Sequence, residues 1–190
     1  MTRSLVSIRY STLLALAILL TVSSSARAQC CEAPKPSATG AAMSASAAFD
    51  RMKSLVGDWV DADGSMGMKG QVAVSYRMTG GGTAVMETLF AGTPHEMLTV
   101  YYRDGDALVA THYCSSGNQP HLRAKTITAD SVDFDFDGGT NVDPSKDAHI
   151  HSAHFQFLSA DEIHADWLGW SGGKEDAAHA ARFHLARKKA

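Results

Sequence analysis

Apolar and polar residues alternate along most of the chain after residue 58. The segment 71–78 reads QVAVSYRM, in which every second residue is Val, Val, Tyr or Met and the residues between them are polar or small. Successive side chains of a β-strand point to opposite faces, so this period of two predicts a strand with one apolar face. The same pattern recurs up to residue 186.

Short turn segments separate these strands. Gly80-Gly81-Gly82 and Asp104-Gly105-Asp106 are typical of hairpin turns, because glycine tolerates the positive φ values that such turns require. The regular spacing predicts an all-β domain of about 8–10 strands. Neighbouring strands are joined without long crossovers, so we expect an antiparallel up-and-down meander. A long meander hides its edges best by closing into a single barrel.

One helical segment precedes the strands. In Ala47 to Val56, apolar residues recur at helical spacing, which predicts a short helix with one buried face. Gly57 then suits the position just after a helix, where a left-handed backbone is common. Trp59 follows at the start of the first strand.

The N-terminal region has the pattern of an export signal. Arg3 and Arg9 precede an apolar run over 11–22, and Ala26-Arg27-Ala28 fits the small-x-small pattern of signal peptidase sites. We therefore expect a signal peptide over 1–28, cleavage after Ala28, and a periplasmic or secreted location. The apolar run is shorter than the ~20 residues of a membrane span, so we expect no span in the mature chain. A retained N-terminal anchor is the alternative.

Residues 29–46 are rich in Pro, Ser, Gly and Ala, which favours a disordered linker. The barrel domain is then expected over 47–190. Loss of residues 1–28 would remove three arginines and no acidic residue, which changes the formal charge from −3 to −6. No basic stripe is present, so the composition argues against nucleic acid as a partner.

The cysteines leave two interpretations open. Cys30 and Cys31 are adjacent, and Cys114 lies within the predicted barrel. In an oxidising compartment, thiols tend to pair, so one expectation is a disulfide between Cys114 and either Cys30 or Cys31. The other is that Cys114 is a small buried residue.

A short helix, then Gly57-x-Trp59, then a strand meander resembles the calycin superfamily, which includes the lipocalins. The resemblance implies that Trp59 closes one end of the barrel and that a basic residue of the last strand, Arg182 or Arg187, stacks on it. It also implies a cup for one small, mostly apolar ligand. A count near ten strands is closer to fatty-acid-binding proteins or nitrobindin-like haem barrels, and exported bacterial proteins of this fold are similar too.

Several residues are candidates for the interior of such a cup. His112 shares a strand face with Leu108 and Ala110, and Glu87 alternates with two apolar residues. If both point inward, a buried Glu–His pair would orient a ligand. In the alternative, Thr111 and Tyr113 face inward instead. The candidate ligand-binding residues are Glu87, His112, Tyr76, Tyr101 and Trp167.

The chain contains nine histidines, so a metal-binding site is one interpretation of the sequence. His149 and His151 would project from one strand face and could share one ion, although zinc or copper sites need three or four ligands. The alternative is a solvated strand end. Haem would need one accessible histidine inside the cup. No cofactor is required by the sequence, and haem or a divalent metal are the ones it permits.

These patterns favour an exported, non-enzymatic barrel that binds a small hydrophobic or amphipathic molecule. The first alternative is a metal- or haem-binding barrel that uses histidines. The second is a structural or envelope-interaction module, in which the barrel is a stable support.

Overall fold

The computed structural model describes residues 42–189, which contain one α-helix and eleven β-strands. The elements are α1 (Ala45–Lys53), β1 (Gly57–Asp61), β2 (Val72–Thr79), β3 (Ala84–Leu89), β4 (Met97–Asp104), β5 (Ala107–Tyr113), β6 (Gln119–Ile127), β7 (Ser131–Thr140), β8 (His149–Phe157), β9 (Glu162–Ser171), β10 (Lys174–Glu175) and β11 (Ala181–Arg187). Two 3₁₀ turns lie over Gly80–Gly82 and Ala177–His179. Among these residues, no helix is both long and apolar enough to cross a bilayer.

The strands form a closed antiparallel barrel, as the sequence predicts. Each of β1 to β9 pairs with the next, and β11 lies between β9 and β1, so ten strands complete the ring. The two-residue strand β10 pairs with β9 outside the ring. A closed ring leaves none of its ten strands as a free edge, which removes the main route to edge-to-edge aggregation.

The helix lies earlier in the chain than predicted. It begins at Ala45, capped by the Ser44 side chain, and ends at Lys53. Gly57 is therefore not the residue that ends the helix; it has φ +131° at the first position of β1. A Cβ there would lie 3.2 Å from a guanidinium nitrogen of Arg187, so both conformation and space favour glycine.

Trp59 lies near one end of the barrel and is fully buried, with 0% exposure. Its indole nitrogen donates to the Leu55 carbonyl oxygen over 2.7 Å. The guanidinium carbon of Arg187 lies 4.5 Å from the centre of the indole ring, and Arg187 also pairs opposite Trp59 in the β1–β11 register. Arg187, and not Arg182, is therefore the stacking partner; Arg182 pairs opposite Asp166.

The two ends of the barrel differ in their connections. At the Trp59 end, which we call the closed end, the strands are joined by short turns around residues 80–83, 105–106, 128–130 and 158–161. At the other end, the mouth, longer connections cover 62–71, 90–96, 114–118, 141–148 and 172–180. The interior between them is packed with aromatic and aliphatic side chains, among which Tyr101, Phe134 and Phe155 contact one another.

The predicted signal peptide over 1–28 and the first part of the predicted linker lie outside the described residues. Cys30 and Cys31 lie there as well, so the expected disulfide to Cys114 stays a prediction. Cys114 itself is half-buried at the mouth end of β5.

Candidate functional site

A row of polar side chains crosses the inside of the barrel. The strand register places Tyr76 opposite Glu87, Glu87 opposite Thr99, and Thr99 opposite His112. Directly opposite residues point to the same face, and all four side chains are buried. Because barrel strands tilt by about 35–45° to the barrel axis, a row across the strands climbs along that axis.

The row therefore extends from the closed end toward the mouth. At its lower end, the ring of Tyr76 meets Trp59 edge to face, with centroids 6.5 Å apart. At its upper end, the imidazole of His112 lies against the indole of Trp167, with centroids 5.2 Å apart. The sequence left open whether His112 or its neighbours Thr111 and Tyr113 point inward. The structure places His112 inside, and Tyr113 is 48% exposed.

Glu87 is the ionisable centre of the row. The Tyr76 hydroxyl donates to its Oε1 over 2.7 Å, and the Tyr101 hydroxyl donates to its Oε2 over 2.9 Å. Burial raises the pKa of Glu87 to about 7, although the hydrogen bonds from Tyr76, Tyr101 and Thr99 act in the opposite direction. Burial and the nearby carboxylate also raise the pKa values of both tyrosines well above their usual value.

His112 completes the row at the mouth side. Its Nδ1 lies 2.9 Å from the Thr99 hydroxyl oxygen. Burial lowers the pKa of His112 to about 4, so the imidazole is neutral at pH 7. Its Nε2 is buried and has no hydrogen-bond partner among the described protein atoms. Buried polar atoms are nearly always hydrogen-bonded, so an unpaired one calls for a partner from outside the protein.

A pocket of about 200 Å³ lies at the mouth, and neither His112 nor Trp167 lines it. Cys114 and Met97 line it, and each lies two residues nearer the mouth than His112 and Thr99 respectively. Ala181, which pairs opposite Trp167, also lines it. The remaining lining residues come from the mouth loops and from the top of β8, namely Ser115, Ser116, His149, Ile150, Ala178, His179 and Ala180.

All five predicted ligand-binding residues thus lie in one interior cluster, comprising Tyr76, Glu87, Tyr101, His112 and Trp167. Thr99 was missed, although it lies opposite both Glu87 and His112 in the strand register and contacts the His112 ring. Its position was readable from the sequence, because Thr99 shares a strand face with Tyr101. Threonine is so common in strands that its type alone gave no reason to select it.

His149 and His151 do lie together, but they contact each other, aromatic rings and, through Nδ1 of His149, the carbonyl oxygen of Asp147 at 2.8 Å. The Nε2 of His149 lies 3.1 Å from Nδ1 of His151, and His151 stacks on Trp170 with centroids 3.8 Å apart. A β-bulge between Ile150 and Ser152 brings His151 to this position. Within residues 42–189, no group of three or more His, Cys, Asp or Glu side chains is arranged to hold a metal ion.

Other histidines are paired with carboxylates. His154 contacts Asp133, and His184 lies 2.7 Å from Glu162. His179 lies 2.9 Å from Asp176 in the turn beside the mouth. The side chains of these pairs are between 32% and 46% exposed, so they contribute little to stability.

No protein-family model matches the sequence, and no curated protein matches it with significant similarity. The architecture, a closed ten-stranded antiparallel barrel, is compatible with the calycin-like fold that Gly57 and Trp59 suggest.

Proposed function

We propose that this chain is an exported, non-enzymatic barrel protein that binds one small, largely apolar ligand at its mouth. The observation that carries the proposal is the buried Nε2 of His112, which lacks a protein partner beside Trp167. Ligand pockets typically combine an apolar lining with a few well-placed polar groups. Export is inferred from the sequence pattern of residues 1–28.

The pocket limits the size of the ligand. Its volume of about 200 Å³ is below the ~300–1,000 Å³ of pockets that hold drug-sized molecules. A molecule with one ring or two fused rings suits it better than a long-chain fatty acid. A neutral imidazole can also ligate haem iron, but the mouth residues would have to move apart to admit a macrocycle. Haem is therefore the less favoured occupant.

A binding screen tests the proposal. Purified protein is titrated with small aromatic and aliphatic compounds, and with a haem analogue, while calorimetry records saturable binding. We expect one-site binding of small ring compounds. Ala181→Phe, which fills the mouth pocket, should abolish it, whereas Ala129→Phe at the exposed closed end should leave it unchanged.

Two results would contradict the proposal. One is the lack of saturable binding by any compound class. The other is binding that survives Ala181→Phe unchanged. In either case, the barrel would be better explained as a stable support filled by its own side chains.

A further inference from the structure

An outer groove on the barrel surface combines a polar cavity with an apolar one. The polar cavity has a volume of about 190 Å³ and the apolar cavity about 440 Å³, and Ser65 and Arg182 line both. One wall is the 62–71 connection, and the base is the outward face of β9 and β11. Among the described residues, none lines both the polar cavity and the mouth pocket. The outer groove is therefore a separate place at which a ligand can bind.

Two opposite charges in the polar cavity face each other without pairing. Arg182 of β11 lies opposite Asp166 of β9 in the strand register, so the two side chains leave the same face from neighbouring positions. Both line the cavity. Neither forms an ion pair with any residue of 42–189. The space beside them suits a molecule that carries a carboxylate for the guanidinium and a cation for the carboxylate.

Further polar groups lie on the Asp166 side of this chemistry. Asp63 also lines the polar cavity, and hydrogen bonds from Ser65 lower the pKa of its carboxyl, so it is ionised at neutral pH. His164 lines the cavity as well, and its buried Nε2 has no hydrogen-bond partner among the described protein atoms. Buried polar atoms are nearly always hydrogen-bonded. These groups favour a ligand with several N–H donors, such as an ammonium.

The larger cavity provides an apolar surface next to these charges. It continues from Ser65 and Arg182, and its other uncharged lining residues are Met66, Leu168, Ala177, Ala180 and Ala181. Glu175 is the one acidic residue that lines it. A ligand whose charged groups occupy the polar cavity can therefore extend an apolar side chain into the larger cavity.

The wall of the groove is held in place by a buried carboxylate. Asp61 is 0% exposed, and its side chain accepts hydrogen bonds of 2.9–3.2 Å from the backbone N–H groups of Gly64, Met66 and Met68. The Ser65 hydroxyl donates to the carbonyl oxygen of Arg182 over 3.2 Å. The segment that carries Asp63 is thus attached to β11 without a ligand, which reduces the ordering cost of binding.

We propose that the outer groove is a second binding site, which takes a zwitterionic α-amino acid with an apolar side chain. The ligand carboxylate pairs with Arg182, its ammonium lies between Asp166 and Asp63, and its side chain occupies the larger cavity. An α-amino acid carries both charges on one carbon, which matches the short separation of opposite residues on neighbouring strands. The site goes beyond the proposed function, because it requires no ligand in the mouth pocket.

Three matched compounds test the site. L-leucine carries both charges, 4-methylpentanoate lacks the ammonium, and 3-methylbutylamine lacks the carboxylate, while all three share the same branched chain. Calorimetry at neutral pH measures their affinities for the purified protein. We expect leucine to bind at least about tenfold more tightly than either analogue, because each analogue leaves one charged group of the groove without its partner.

Two variants should each remove the preference for one charge. Arg182→Gln should remove most of the difference between leucine and 3-methylbutylamine, and Asp166→Asn should remove most of the difference between leucine and 4-methylpentanoate. Lys125→Gln and Asp106→Asn change exposed charges outside the groove, so they should leave all three affinities unchanged. Circular dichroism verifies that each variant is folded.

The results separate this site from the mouth pocket. Leucine that does not bind, or that binds no more tightly than its analogues, would overturn the outer site, as would an unchanged preference in both folded variants. Small ring compounds should bind Arg182→Gln as they bind the wild type, because Arg182 does not line the mouth pocket. Selective leucine binding without saturable binding of ring compounds would support the outer site and contradict the proposed function.

Discussion

Folding shifts the pKa values of Glu87 and His112 in opposite directions, although burial is the main cause of both shifts. Burial disfavours a charged form, so it raises the pKa of the acid from 4.5 to about 7 and lowers that of the base from 6.5 to about 4. Between pH 4.5 and 7, folded Glu87 binds a proton that the unfolded chain has released, so its contribution to stability falls as the pH rises. Between pH 4 and 6.5, unfolded His112 binds a proton that the folded protein excludes, so its contribution rises. The two effects cancel over much of this range.

Replacement of Glu87 should reveal the pH dependence of stability that comes from His112. In Glu87→Gln, we expect the free energy of unfolding, relative to that of the wild type, to increase by about 3 kcal/mol between pH 4.5 and 7 and to level off above pH 7. Urea denaturation at several pH values measures this difference. The exposed Glu175→Gln serves as the control and should show no such change. A flat difference for Glu87→Gln would mean that its carboxyl titrates normally in the folded protein.

At the level of single residues, the sequence selected side chains that the structure brings together, but it did not determine their orientation. Alternation grouped His112 with Leu108 and Ala110, yet Thr111 and Tyr113 were equally able to face inward. What decides between them is the packing of Trp167 and Thr99 around the imidazole. The contact with Trp167 joins β5 to β9, which are far apart in sequence, so no local pattern contains it.

At the level of elements, the contact between β1 and β11 shows how the chain closes the ring. The guanidinium of Arg187 donates to the carbonyl oxygens of Val56 over 2.9 Å, Ser54 over 2.8 Å and Ala160 over 3.0 Å. It thereby ties the segment after α1 to the turn between β8 and β9. Its planar fork suits several acceptors at once, which the compact ammonium of lysine does not.

Arg187→Ala should therefore lower the free energy of unfolding much more than Arg182→Ala does. We expect it to lower the free energy of unfolding by about 2–4 kcal/mol, since it removes several charge-assisted hydrogen bonds and the contact with Trp59. Arg182→Ala, on the same strand but exposed, should cost less than about 1 kcal/mol. Chemical denaturation of both variants measures the difference. Equal losses would show that the contacts of Arg187 add nothing specific.

Element types were easier to predict than their irregularities. The strand alternation and glycine turns indicated a closed meander, which the pairing confirms. The sequence around His151 gave no sign of the bulge in β8, because a bulge depends on how two strands fit and not on the residues of one. The helix bounds were wrong at both ends: α1 begins at Ala45 after the N-cap Ser44, although Ser46 is equally suited by residue type, and it ends at Lys53.

At the level of the whole molecule, stability depends on the last strand. β11 closes the ring between β9 and β1, and it contributes Phe183 and Leu185 to the core at 2% and 0% exposure. Its loss would open two strand edges and expose part of the core at the same time. A barrel cannot lose one strand gradually, because closure is a property of all ten.

Truncation after Ala180 should therefore prevent folding. We expect a chain without residues 181–190 to lose its near-ultraviolet circular dichroism and to aggregate during size-exclusion chromatography. Removal of Lys189 and Ala190 alone removes the exposed ion pair between Lys189 and Asp161, and this shorter truncation should fold with nearly unchanged stability. A monomeric, folded product of the longer truncation would contradict this view of the barrel.

The path of the chain into the barrel determines how the protein would present itself when tethered. The backbone N–H of Met43 donates to the carbonyl oxygen of Ile127, the last residue of β6, which lies at the closed end. The described part of the chain therefore enters the barrel on the side opposite the mouth. A sensor surface or fluorescent fusion attached at Met43 would leave the mouth pocket facing the solution, whereas attachment within the 172–180 connection would place it against that pocket.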